Sequence, residues 1–435
     1  RRWRRGRRRG AVRAATAASG GSAGASGGNA GPADGEAGGA DPGGEAAEGA
    51  GDGDEGPTTL EEFEGLDIPE MARDKFRSRD LQRSLTKGSP EVTEYICDKA
   101  EACFMELVMD QYGNYLTQKV LEACPPPQFE RLFCVLKGRL QDLALDVHGT
   151  RAVQKIVEQA AARGKVPELL DALPAGLIER LARNVTGFHV VVKLIECFPA
   201  QEVESVLNLL CGSAEKALAL GQDQWGCCVL KKCVDRSEGA TKLRIVDAIL
   251  ANVVLLVQDP FGNYVVQHLI LAGAGKPGPH VARVVDSLRG QVFELALQKF
   301  SSNVLEKCLV NAEAKDRNRI INEILNPPLC LPSQAVRKLL FHQYGNYVFQ
   351  QALEVAKEPQ YSLLVEHAKP LVQDAIRGPE ADGAERSVDR LAAEHARRLG
   401  MKLVKKYPEL SEGLDFDTSH SVWGAYGDPY AAAAA

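Results

Sequence analysis

The chain has 435 residues, 45% of them hydrophobic, enough to bury a sizeable core in one large domain or in a solenoid with tails. Its formal net charge of −6 lacks the basic balance that advertises a nucleic-acid partner, and no run of about 18 apolar residues supplies a transmembrane helix. Eleven scattered cysteines, with no C-x-x-C pair and no Cys/His ligand spacing, fit reduced thiols in a cytosolic or nuclear protein better than a disulfide framework.

Residues 1–13 carry eight arginines, and the stretch up to 57 is Gly, Ala and acidic residues with hardly a bulky apolar group. Such a segment cannot bury enough surface to offset its ordering entropy, so residues 1–57 read as disordered. The Arg-rich opening also fits a transit peptide or a nuclear-localisation patch. Residues 411–435 read as a weakly structured tail ending in five alanines.

Between them, over 58–410, one ten-residue pattern returns eight times. It is clearest as DQYGNYLTQK (110–119), DPFGNYVVQH (259–268) and HQYGNYVFQQ (342–351). Looser copies are DKFRSRDLQR (74–83), DVHGTRAVQK (146–155), NVTGFHVVVK (184–193), DQWGCCVLKK (223–232) and QKFSSNVLEK (298–307). Steps between copies are 36, 36, 38, 39, 36, 39 and 44 residues, and the insertion NPPLCLPSQ explains the last. A fixed period of this length marks a repeat architecture.

Each copy reads as a helix. In GNYVVQHLIL the residues Val265, Val266, Leu269 and Ile270 form one apolar stripe, and Asp259 with Gly262 supplies the polar start. A second helical stretch, such as VARVVDSLRGQVFELAL, precedes each motif. No strand alternation persists. The fold class expected is all-α, an α-solenoid in which each unit is buried by its neighbours. Asn263 and Gln267 are four residues apart and share a helical face, with Tyr264 at its edge. They are expected to point away from the core. A row of amide pairs interleaved with flat side chains suits a single-stranded nucleic acid: planar groups stack on bases and amides bond their edges.

These motifs resemble the Pumilio, or PUF, family of RNA-binding repeat proteins over roughly residues 66–410. The resemblance implies a right-handed superhelical α-solenoid of eight repeats, closed by a C-terminal half-repeat at LGMKLVKKYPEL (399–410). It also implies single-stranded RNA bound antiparallel, one base per repeat. Repeat 8 (Asn346, Tyr347, Gln350) and repeat 6 (Asn263, Tyr264, Gln267) then look like uracil sites. Repeat 7 (Ser302, Asn303, Glu306) looks like a guanine site, because a carboxylate only accepts and guanine shows two adjacent donors. Repeat 3 (Thr150, Arg151, Gln154) and repeat 1 (Ser78, Arg79, Gln82) resemble adenine sites, and repeat 2 (Asn114, Tyr115, Gln118) a uracil site. Repeats 4 (Phe188, His189, Val192) and 5 (Cys227, Cys228, Lys231) depart from the pattern. In repeat 4 neither Phe188 nor Val192 can bond a base edge, while His189 can stack; in repeat 5 Lys231 donates but cannot accept, which suits a base with an exposed acceptor. The expected element is 5′-UGUNNAUA-3′.

By the same resemblance the chain is a cytoplasmic monomer, with a nuclear or nucleolar pool open. It would bind messenger 3′ untranslated regions and lower translation or message lifetime, with deadenylation or translation-repression factors on its outer surface. Competing readings are a nucleolar PUF-like protein of ribosome assembly and a peptide-binding armadillo or HEAT solenoid. No motif indicates an enzyme, a cofactor or a metal. The residues following the reading position are Arg83, Lys119, Lys155, Lys193, Lys232, His268, Lys307 and Gln351. They suit either phosphates or acidic partners such as Asp110 and Asp146 of adjacent units.

Overall fold

In seven of the eight motifs the first residue is a helix-capping residue, and its job is visible in the computed structural model, which describes residues 57, 59–272, 280–328, 330–377 and 387–413. Asp110 Oδ1 accepts from the backbone N–H groups of Tyr112 at 2.8 Å and Gly113 at 2.7 Å. These are donors that a helix start leaves without an intrahelical partner. Asp74, Asp146, Asp223 and Asp259 do the same, Asn184 does so through its amide oxygen, and His342 through Nδ1.

The eight motif helices that follow are Arg77–Lys87, Gly113–Ala123, Gly149–Ala162, Phe188–Cys197, Gly226–Arg236, Gly262–Leu271, Ser301–Asn311 and Gly345–Val355. The stripe Val265, Val266, Leu269 and Ile270 is buried, as are Leu116, Val120 and Leu121 in repeat 2. Each motif helix packs against the next along the chain, and the buried apolar side chains form one continuous core. No strand occurs among the described residues. The all-α solenoid expected from the period is the fold.

The second helical stretch is two helices rather than one. In repeat 2 they are Pro90–Glu101 and Phe104–Val108; in repeat 7, Val281–Ser287 and Val292–Ala296. The break in VARVVDSLRGQVFELAL falls at Gly290, whose φ of +79° lies in the left-handed region that side chains disfavour. Each unit is therefore a three-helix wedge. The short middle helix carries the leucine under the motif glycine. A Cβ at Gly262 would stand 2.8 Å from the Leu256 carbonyl oxygen, and at Gly226 2.5 Å from that of Leu220. Repeat 7 has Ser301 at this place and turns the crowding into a bond: Ser301 Oγ donates to the Leu295 carbonyl at 2.6 Å.

Past repeat 8 the chain closes with Gln360–Arg377, Ser387–Lys406 and the 3-10 turn Pro408–Ser411. Leu403, Tyr407 and Leu410 are buried there, and Tyr361 bonds Glu409. The closing segment expected at 399–410 is thus the end of a longer helical hairpin. The Arg-rich and Gly/Ala/acidic segment expected as disordered, and most of the tail from 411, lie outside the described residues.

Candidate nucleic-acid interface

The three reading positions differ in depth. First-position side chains are buried in all eight units: Ser78, Asn114, Thr150, Phe188, Cys227, Asn263, Ser302 and Asn346. The second position (Arg79, Tyr115, Arg151, His189, Cys228, Tyr264, Asn303, Tyr347) is half-buried or exposed. The last position (Gln82, Gln118, Gln154, Val192, Lys231, Gln267, Glu306, Gln350) is half-buried.

This corrects the expectation that the amide pair points outward together. Asn263 is only 1% exposed, and its Nδ2 donates to the carbonyls of Asp259 at 2.8 Å and Pro260 at 2.9 Å. Asn114 and Asn346 make the same pair of bonds. The asparagine locks the turn that starts the motif helix, because buried amide donors must be satisfied. Its remaining oxygen then orients the glutamine one turn on: Gln267 Nε2 donates to Asn263 Oδ1 at 2.8 Å, and Gln350 to Asn346 Oδ1 at 3.0 Å. The glutamine amide has a second N–H and an acceptor oxygen beyond that bond. In repeats 1 and 3 the hydroxyls of Ser78 and Thr150 reach the next unit, donating to the Tyr112 carbonyl at 3.2 Å and the Thr186 carbonyl at 3.4 Å. Gln82 and Gln154 each bond the small residue of their own unit.

Repeat 7 differs in sign. Ser302 Oγ turns to the Lys299 carbonyl at 3.2 Å, and Glu306 accepts no hydrogen bond among the described residues. Burial pushes the Glu306 carboxyl above its ordinary range, and the neighbouring Lys307 only partly opposes this. A half-buried carboxylate without a donor is a costly arrangement that a ligand's N–H groups would relieve.

Repeat 4 is filled from within. Phe188 is buried and stacks on Trp225 of the next unit, ring centroids 5.1 Å apart, and the His189 ring centroid is 3.9 Å from its own. Phe188 is therefore a packing residue. Burial, then the charge of Arg151, lowers the His189 pKa and favours the neutral ring.

One turn beyond the second position runs a row of charge. Lys119 bonds Glu122 at 2.9 Å; Lys155 bonds Glu122 and Glu158, both at 2.6 Å; Lys193 bonds Glu158 at 2.8 Å; Lys232 bonds Glu196 at 2.9 Å. His268 continues it to Asp235 at 2.6 Å. Burial alone would lower Lys155, but its two carboxylate bonds outweigh that and hold it above its ordinary range. The expected partners Asp110 and Asp146 are instead the caps described above. The true partners carried a sequence signal, the i,i+3 spacing from Lys119 to Glu122, Lys155 to Glu158 and Lys193 to Glu196. The positions that hold the glutamates are taken in repeats 6 and 7 by Leu271 and Val310, both exposed, and Lys307 forms no ion pair among the described residues.

Six segments of the chain, 103–136, 139–163, 216–250, 252–274, 291–325 and 338–367, match the Pumilio-family RNA binding repeat. The motif helices of repeats 1 and 4, two of the three least regular, fall outside them. The chain is 37% identical over 311 residues to Pumilio homolog 12 of Arabidopsis thaliana, covering 69% of this chain and 48% of that protein. It is 33% identical over 298 residues to Pumilio homolog 9 of the same plant, covering 68% and 50%. The chain thus spans about half the length of these curated relatives. Among solved structures it superimposes on the Puf4 RNA binding domain bound to the HO endonuclease RNA 3′ UTR recognition sequence. The TM-score is 0.64 at 29% identity, over 76% of this chain and 97% of that one. Repeat period, capped motif helices and these matches agree: the chain belongs to the Pumilio family of RNA-binding-repeat proteins.

Proposed function

We propose that this chain binds single-stranded RNA sequence-specifically, at an element near 5′-UGUNNAUA-3′ in messenger 3′ untranslated regions. Bound there in the cytoplasm as a monomer, it lowers translation or message lifetime by presenting its outer surface to deadenylation or repression factors. The observation that carries the reading is Glu306. It stands at the position where five other repeats hold an oriented glutamine, and it is the one carboxylate there. It is half-buried and accepts no hydrogen bond among the described residues. A solvated surface or a peptide-binding groove gives no reason for one such charge in that register. A base whose edge shows two adjacent donors does.

In this reading the glutamines of repeats 2, 6 and 8, held by their asparagines, each offer one donor and one acceptor to uracil. The second-position side chains Tyr115, Tyr264 and Tyr347 and the guanidinium planes of Arg79 and Arg151 supply the stacking surfaces. Asn303 and His189 occupy the same row. The relative bound to a 3′ UTR recognition sequence has the same architecture, which supports the choice of RNA class. Selection from a random RNA pool by the full chain tests the proposal. Enrichment of a UGU-led eight-base word supports it, and a pool with no enriched word overturns it.

A further inference from the structure

Repeat 5 departs from the amide pattern with a logic of its own. Cys227 is buried and its thiol donates to the Gln224 carbonyl at 3.3 Å, so the first position presents no bonding edge to a ligand. Four residues on, on the same helical face, stands Lys231, half-buried, at the place held by Glu306 in repeat 7. Burial raises the Tyr264 phenol, Cys227 adds to this and Lys231 opposes it, which puts both residues within electrostatic reach of that ring.

We propose that repeat 5 reads cytosine, making the fourth base of the element C, with Lys231 as the specificity-determining residue. The inference rests on the RNA reading above. Its argument is the polarity of base edges. Guanine shows two adjacent donors on its Watson–Crick edge, N1–H and N2–H, which is what a carboxylate accepts. Cytosine shows two adjacent acceptors, N3 and O2, which is what an ammonium donates to. Uracil places N3–H between its two acceptors, and adenine sets its N6 donor beside a single acceptor, so both bring an N–H against a group that cannot accept. An ammonium has three donors, so one engaged within the protein leaves others for a base. Lys231 is thus the inverse of Glu306 in the same register. Repeat 4, with Phe188 packed under Trp225 and apolar Val192, has no such edge group, and the fifth base stays unread.

The test uses the full chain and four RNAs, 5′-UGUXAAUA-3′, alike except at the fourth base X, with a scrambled RNA as control. Cytosine at X is expected to bind about tenfold more tightly than the other three bases. Lys231→Glu should move the preference to guanine, and Lys231→Gln should abolish the cytosine preference; circular dichroism checks that both variants stay folded. Affinities within twofold at all four bases, or a preference other than cytosine, overturn the assignment while leaving the RNA reading intact. Failure of all four RNAs to exceed the scrambled control overturns both.

Discussion

Glu306→Gln separates a functional charge from a structural one. The carboxylate lies half-buried with no donor among the described residues, so the free protein gains nothing from its ionisation. If it accepts from guanine N1–H and N2–H together, the bidentate contact discriminates by about 1–3 kcal/mol, or roughly 5- to 150-fold. Glutamine replaces one acceptor by a donor that faces guanine's own N–H groups, which places the loss in the upper part of that range. Stability moves the other way. Burial raises the folded-state pKa above the ordinary 4.5, so the unfolded chain ionises first. The folded state loses stability as pH rises from that value through the raised one, and the loss persists at neutral pH. The glutamine variant should therefore melt higher than wild type at pH 7 and no higher below pH ~4.5. Guanine preference in the wild type should fade on mild acidification, while the variant stays flat. Fluorescence anisotropy with UGU- and UUU-led RNAs at fixed salt, with thermal melts across pH, reads all of this. Wild-type discrimination by the variant, or a lower melting point at pH 7, refutes the reasoning.

Tyr264→Ala should weaken RNA binding by about 1–3 kcal/mol through lost stacking; an unchanged Kd at fixed salt counts against the stacking row. Lys155→Met removes the centre of the charge row. Because Lys119 and Lys193 still serve Glu122 and Glu158, the expected loss is about 1 kcal/mol of stability with less than a twofold change in Kd. A tenfold affinity loss would show that this lysine meets a phosphate. Gly262→Ala forces a methyl against the Leu256 carbonyl and should cost about 1–3 kcal/mol in a denaturant melt. Gly262→Ser should cost less, since Ser301 shows how a hydroxyl answers the same carbonyl. Raising salt should weaken RNA binding with a logarithmic slope near −1, about one or two phosphate contacts at roughly 0.7 each. A slope beyond about −3 would mean that the paired lysines open to the strand.

The period, the motif helices and the odd carboxylate at repeat 7 were legible because each is a local feature, repeated often enough to stand out. Depth was not. Asn263, Tyr264 and Gln267 look alike as polar letters, yet the first is buried against its own turn while the other two are half-buried. Only the geometry of the cap, where the Asp259 carbonyl accepts from the Asn263 amide, decides this. The split of the second helix was hidden for the same reason: Gly290 is an ordinary glycine in the sequence and a left-handed corner in the fold. Phe188 shows the converse. Its failure to fit the pattern was evident, but its stacking on Trp225 involves residues 37 apart, a contact no single-unit pattern reveals.

The charge row explains how a chain of net charge −6 suits an anionic strand. Along repeats 2 to 5 the lysine that follows each last reading position is held by a glutamate of its own or the preceding unit, so that row is near neutral rather than basic. Affinity must then come from stacking and edge bonds, which carry sequence information, and not from counterion release, which does not. The pairing also fixes register between units, because Lys155 bridges repeats 2 and 3 and Lys193 bridges 3 and 4. At repeats 6 and 7 the carboxylates give way to exposed Leu271 and Val310, and Lys307 stands beside Glu306. Lys307, the cation of the row with no ion pair among the described residues, thus lies toward the end of the solenoid that would read UGU. That end also holds the asparagine-held glutamines of repeats 6 and 8, so the available cation and the most complete reading edges occupy the same part of the surface.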